Sequence, residues 1–459
     1  MLEKDLSPYA GLFTDYTELR MQENRALRIA MVHGSLVRNS RSGASGVSAR
    51  VYRAGSWGFA SNPELAGDAV KSVIRSATHN ARFLDSRLNR AGPPLPGRPA
   101  KADRDFGTRK TRVGQAGLVD FVRRVDTHIE KKYPQLKSRT VSLGCLDMEK
   151  SLLTSDGSEA YSMVPRSNIA IVLTVEKDGI PFELYDVHGG LGQFEEVFDD
   201  PEDLFEGIEE QHGHLMRKAE GVYPDPGIKE CVLDAELAGI LAHEALGHTT
   251  EADIILGGSV APRYYGREAA SPLITLVDFA HTALGKTCPV PVYVDDEGTG
   301  AEDAVIIDRG ILKSYMHNRE TARRFGHAPT GNARAYRFAD EPIIRMRNTA
   351  IEPGESRMEE MIGSIEDGYY LVKPSNGQAD STGEFMFGVP LGYEIKAGKL
   401  DRALRDTTIS GVAFDVLKSV TMVSSDMHWS NSGMCGKKQA VPVGLGGPAV
   451  KCRVNIGGR

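Results

Sequence analysis

Apolar and polar residues alternate along residues 46–60, GVSARVYRAGSWGFA, on either side of Ala54-Gly55, which predicts two antiparallel strands joined by a tight turn. The period then changes. From 63 to 88 apolar residues recur at helical spacing with no proline after the first position, and 115–133 repeats the pattern, so two helices are expected. Residues 169–175 and 180–187 flank Glu176-Lys177-Asp178-Gly179 as a second hairpin, and 195–220 reads as helix. Between the first two helices, residues 91–111 are rich in Pro, Gly and charge, the composition of an exposed loop.

The rhythm shifts after the turn-rich stretch 221–227, GVYPDPG, which places a domain boundary there: residues 1–222 form an α/β domain and 223–459 a second domain. Beyond one helix at 234–248, this second half is short strands and turns, as at 305–307 and 311–315 around Asp308-Arg309-Gly310, and 393–395 and 399–400 around Ala397-Gly398. The expected class is α+β, with an N-terminal α/β domain followed by a mostly β, barrel-like C-terminal domain that carries the 234–248 helix.

A chain of 459 residues with 41% hydrophobic and 25% charged residues has ordinary globular usage and enough length for two cores. Acidic residues outnumber basic ones, 62 to 55, and no apolar run is long enough to cross a bilayer as a helix, so neither nucleic acid nor membrane is an expected partner. The N-terminal residues lack the basic flank and apolar run of a secretory signal, and five scattered cysteines (145, 231, 288, 435, 452) show no disulfide spacing. A cytoplasmic protein with reduced thiols is expected.

Chemistry concentrates at residues 231–253, CVLDAELAGILAHEALGHTTEAD. Asp234 is a suitable N-cap, and Leu237, Ile240, Leu241 and Ala245 make an apolar stripe from which Glu244 and His248 also project. An ionisable pair on a buried face costs free energy unless partnered, and a divalent metal is the simplest partner. The two histidines, His243 and His248, are five residues apart, whereas the familiar zinc-protease helix spaces them by four. In a regular α-helix that spacing separates them by roughly 140°. Either a π-bulge brings them together or the helix unwinds at Gly247. Glu244, directly after His243, is placed to act on water as a general base. A third ligand must come from elsewhere: Cys435, in the Gly-rich stretch 430–447, is one candidate, and Glu251 and Asp253 are alternative oxygen ligands or partners that orient His248. A redox role for Cys435 is weak, since no second Cys lies near it in sequence.

Further segments follow in order: DDEGTGAEDAVIIDRGILKSYMHNRETARRFG (295–326), PTGNARAYRF (329–338), RMRNTAIEPG (345–354), NGQADSTGEFMF (376–387) and NSGMCGKKQAVPVG (431–444). With HEALGHTTEAD, this set resembles the TldD/PmbA family over nearly the whole chain, on the side of its catalytic TldD-type members. The resemblance implies a zinc metalloprotease in which His243, His248 and Cys435 bind Zn2+ and Glu244 is the general base. It also implies a dimer, with a TldE/PmbA-like chain or a second copy, that encloses the site and admits unfolded peptides. The competing reading is a non-catalytic peptide-binding or regulatory protein of the gyrase-modulator type with a structural zinc. That reading leaves Glu244 unexplained, because a structural site is closed by four ligands and needs no base.

Smaller signals complete the picture. Residues 295–298 and 329–332 have turn composition. Arg334, Arg337, Arg345 and Arg347 are placed either to bind a peptide carboxylate or to form a salt-bridged face, the latter being the expectation. His188 and His428 stand alone and receive no role. Thr249-Thr250 departs from the small or apolar pair expected after the second His, a change that bears on substrate access.

Overall fold

The computed structural model describes residues 2–88, 92–375, 377–430 and 432–457. Ala91, Asn376 and Asn431, which bound segments quoted above, lie outside them. All strands before residue 192 belong to one seven-stranded sheet, ordered Ser56–Asn62, Ser35–Arg53, Tyr16–Val32, Ser138–Thr154, Glu159–Lys177 and Lys101–Asp105, with Ile180–Leu191 also on Glu159–Lys177. Its four central strands run 17 to 19 residues, well beyond ordinary strand length. Helix Gly67–Leu88 covers one end of a face, packing Val70, Val73, Ile74 and Ala77 on Leu19, Met21, Val47 and Val51. Helices Gln115–Lys132 and Phe205–Ala219 cover the other end, over Ile29, Val141, Ile169 and Ile171. The loop expected at 91–111 is only partly one, since Lys101–Asp105 extends the sheet in parallel along Glu159–Met163.

From residue 227 onward, the strands build a nine-stranded and a six-stranded sheet with smaller two-stranded pairs. The structure is α+β, and the barrel-like expectation is corrected to open sheets: in the nine-stranded sheet, Gly377–Ala379 and Lys399–Ala403 are ends that do not meet. The latter carries exposed Lys399, Asp401 and Arg402, charges that discourage further pairing. Between the two large sheets runs the helical segment from Ala235 to Thr250, inside a core that includes Leu237, Leu241, Leu276, Phe387 and Val450. No helix among the described residues is long and apolar enough to cross a membrane.

Buried charges join the N-terminal sheet to the rest. Arg50 is ion-paired with Glu18 at 2.8 Å and with Glu297, and Lys150 with Asp296 at 2.7 Å. The turn at 295–298 is structural: the Asp295 carboxylate accepts from the N–H groups of Glu297, Thr299 and Ala333 at 3.0, 2.8 and 3.0 Å.

A buried aromatic group near residue 320 yields a pH prediction. His317 packs against Tyr315, Phe325 and His327, and burial, reinforced by His327, pulls its pKa down to about 4. The unfolded chain therefore binds a proton that the folded chain refuses. Stability falls as pH drops from the ordinary His value of about 6.5 towards 4, by up to about 3 kcal/mol from this group. Urea unfolding of the protein and of His317→Gln across that range checks it; an unchanged pH slope in the variant rejects the assignment.

Candidate metal centre

The polypeptide leaves strand Gly227–Leu233 at Asp234 and forms an α-helix only from Ala235 to Ile240. Residues Leu241–Gly247 are π-helical and His248–Thr250 is a 3-10 turn. Of the two distortions the spacing allows, the π segment is the one present. The His248 N–H donates to the carbonyl of His243, five residues back, so the side chains of both meet on one side. Their ring centroids are 5.3 Å apart with planes at 80°.

Departing from α-geometry frees carbonyls at the segment's end, and Thr249-Thr250 bonds them. The Thr249 hydroxyl donates to Leu246 O at 2.9 Å, and that of Thr250 to Leu246 O at 2.9 Å and Gly247 O at 3.0 Å. The threonine pair is thus part of the π-to-3-10 exit. Asp234 occupies the cap position but makes no side-chain cap bond, because its carboxylate accepts the Tyr370 hydroxyl instead. Gly247 has ordinary helical angles, and its role is space: a Cβ there would lie 2.0 Å from Sδ of the buried Met346. Gly247→Ala is expected to cost about 1–3 kcal/mol by overpacking. Combined with Met346→Ala, it should cost less than the two singles summed, as read by urea midpoints; strict additivity removes the clash as the cause.

His243, His248 and Cys435 each offer a ligand atom, and these atoms lie within 4.8 Å of one another. Cys435 enters on the short strand Met434–Cys435, paired with Val441–Pro442, and its Sγ is 3.3 Å from His248 Nε2. Burial would raise the Cys435 thiol, but the His243 and His248 rings bring it down to about 3. Burial likewise opposes charge on His248, while Cys435 and Glu251 lift it to about 10. Both ring nitrogens of His243 are buried and, among the described residues, have no hydrogen-bond partner. An orphaned imidazole beside a depressed thiol is the donor set a divalent metal would satisfy, and two nitrogens with one sulfur suit zinc.

Glu244 lies at the rim, 29% exposed, its oxygens 4.0 Å from His243 Nε2 and 3.7 Å from His248 Nε2. Glu251 and Asp253, weighed as oxygen ligands, sit outside the group of three. Fully buried Glu251 accepts from His248 Nδ1 at 3.0 Å, fixing that ring with Nε2 turned to the sulfur. Lys437 holds both carboxylates, at 3.1 Å from Glu251 and 2.8 Å from Asp253.

Arg345 clamps the Cys435 loop. Its buried guanidinium donates to the carbonyls of Cys435, Lys437 and Gln439 at 2.5, 2.8 and 2.5 Å. Arg334 is spent on Met346 O and Pro442 O, and Arg347 on Asp278 and the carbonyls of Thr330, Gly331 and Glu302. These three arginines are therefore internal struts, buried and bonded to protein groups. Arg337 lies over the Tyr336 ring. His188 packs beside Asp186 and Gly207, and His428 pairs with Asp426 at 2.9 Å, both away from the centre. Lys437 went unrecognised in the sequence; its place two residues after Cys435 was the available signal.

Residues 226–458 match the model of the PmbA/TldA metallopeptidase C-terminal domain, and residues 17–81 that of PmbA/TldA metallopeptidase domain 1. A metalloprotease of Methanothermobacter thermautotrophicus is 32% identical over 457 residues, covering 96% of this chain and 94% of that protein. A zinc metalloprotease TldD homolog of Saccharolobus solfataricus is 28% identical over 416 residues, 90% of each chain. The crystal structure of TldE from Thermococcus kodakarensis superposes with a TM-score of 0.76 at 17% identity over 99% of both chains, a likeness of fold. On these matches the chain belongs to the PmbA/TldD family of metallopeptidases.

Proposed function

We propose that the chain is a zinc-dependent metallopeptidase that hydrolyses peptide bonds of unfolded or small peptides, with His243, His248 and Cys435 as metal ligands and Glu244 as general base. The observation that carries this is the meeting of two histidines five residues apart with a cysteine 187 residues away, around an imidazole whose ring nitrogens have no hydrogen-bond partner among the described residues. When bound, zinc would supply Lewis acidity towards a peptide carbonyl and acidify water to a pKa of about 7. The rest falls to the chain. Glu251, braced by Lys437, orients His248, and Arg345 holds the Cys435 loop. Glu244 takes a proton from water at a carboxylate oxygen and returns it to the leaving amine, a cycle that requires its partial exposure.

The reading extends to organisation. A division at 222/223 is supported by the change of sheet there, and a dimer with a TldE/PmbA-like chain or a second copy by the shared fold with a TldE. A cytoplasmic site of action on peptides belongs to the same reading, and the five cysteines, all free thiols, are in keeping with it.

The test is metal content and cleavage of an unfolded peptide, for the purified chain alone and mixed with a PmbA-like chain from the same source. Stoichiometric zinc, cleavage, loss of cleavage on chelation and recovery on adding zinc back are expected. Bound zinc with no cleavage in either preparation hands the site to the binding-protein reading.

A further inference from the structure

Arg166 is a half-buried cation with no counter-ion among the described residues. It projects from strand Glu159–Lys177 on the face turned towards the C-terminal half, and its Nη1 donates to the carbonyl of Gly433 at 3.1 Å. Its Nη2 is buried, and among the described residues it has no hydrogen-bond partner and no carboxylate lies within ion-pair distance. Burial is the one influence on its titration, drawing the guanidinium down to about 10. Leaving a guanidinium donor dry is costly, and two cations nearby are better served: Lys150 is bonded to Asp296 and Ala335 O, and Arg334 to two carbonyls.

Arg166 also lines a cavity. Between the sheet face and residues 289–296 lies a space of about 90 Å3 lined by Met148, Lys150, Val164, Arg166, Pro289 and Val292, among others. Its walls are mainly apolar and its charged lining leans positive. That space excludes a folded chain and suits a small side chain, being below the roughly 150 Å3 that holds a benzene ring. Pro442, paired with Met434 beside Cys435, also lines it. Gly433 is two residues from Cys435, so at about 3.4 Å per extended residue the guanidinium lies on the order of 10 Å or less from the metal-site strand.

We propose that Arg166 and this cavity form a carboxylate subsite, which receives the free C-terminus of a peptide whose scissile bond lies at the metal centre one or two residues upstream. The apolar walls accept the last side chain, and the guanidinium pairs with the terminal carboxylate while keeping its bond to Gly433 O. The substrate class is then short peptides, or trimmed ends of longer ones, with an unblocked carboxyl terminus. This rests on the peptidase reading for its meaning, and its test does not depend on turnover.

The probes are acetyl-Ala-Ala-Ala as the free acid and as the C-terminal amide, titrated by calorimetry into the full-length Glu244→Gln protein loaded with zinc. The acid is expected to bind about tenfold or more tightly than the amide. Arg166→Gln on that background should abolish the preference, and Arg166→Lys should restore part of it. Equal binding of acid and amide, no binding of either, or a preference that survives Arg166→Gln overturns the subsite. The acid-versus-amide comparison needs no Arg166 variant, so a folding defect in one leaves the test intact. A protein that discriminates the two ligands but cleaves no peptide would sink the peptidase reading alone; one that cleaves peptides without discriminating would sink the subsite alone.

Discussion

Glu244→Gln is expected to keep its zinc and lose hydrolysis by roughly 10²–10⁴-fold. Gln preserves the length and shape of the side chain, and Glu244 sits partly exposed at the rim with no hydrogen bond among the described residues that the change would break. The three ligand atoms are untouched, so metal content should match the wild type. What disappears is a carboxylate near both His Nε2 atoms that is able to hold a proton taken from water. Metal analysis beside peptide cleavage separates the possibilities. Loss of zinc would make Glu244 a ligand, and retained cleavage would place the base elsewhere.

How much of this was legible in the sequence depends on what each residue answers to. The hairpins were, because their turns are made by residues with positive φ: Ala54-Gly55 at 45° and 96°, Asp178-Gly179 at 53° and 76°, Arg309-Gly310 at 43° and 84°, and Ala397-Gly398 at 47° and 72°. Such turns declare themselves locally. The long strands did not, since Tyr16–Val32 buries residues on both faces. Alongside Leu19 and Met21 it buries Arg20, Gln22 and Asn24, whose side chains donate to backbone carbonyls of Phe338, Tyr336 and Tyr336 in the C-terminal half. A face covered by a distant part of the chain with polar struts breaks the apolar-polar alternation on which strand reading relies.

The centre divides the same way. His243, Glu244 and His248 lie within one turn or two of each other, and their misfit to α-geometry announced a distortion whose form, a π segment, follows from hydrogen bonding that no sequence spacing specifies. Cys435 carried little signal of its own beyond a flexible loop. Arg345 and Lys437 act on backbone carbonyls and a buried carboxylate some 90 or more residues away in sequence, at 2.5 Å from Cys435 O and 3.1 Å from Glu251, so composition alone assigned them to a charged surface or to nothing.

The remaining large effect belongs to the third ligand. Cys435→Ala is expected to weaken zinc binding by about 10²–10³-fold, since a four-ligand zinc site is worth about 10–16 kcal/mol and one ligand about a quarter of it. The alternatives are placed to make this discriminating. Glu251 is locked between His248 Nδ1 at 3.0 Å and Lys437 at 3.1 Å, and Asp253 is held by Lys437, so neither carboxylate is free to move in when the sulfur is removed. Glu251→Gln and Asp253→Asn should therefore keep zinc far better than Cys435→Ala, with Glu251→Gln the weaker of the two because it alone orients a ligand ring. Replacing zinc by Co2+ makes the comparison optical: a thiolate-to-cobalt band present in the wild type should vanish in Cys435→Ala and persist in both carboxylate variants. If the band survives the loss of Cys435, another cysteine is the sulfur donor. If Asp253→Asn empties the site as fully as Cys435→Ala, an oxygen ligand takes the sulfur's place.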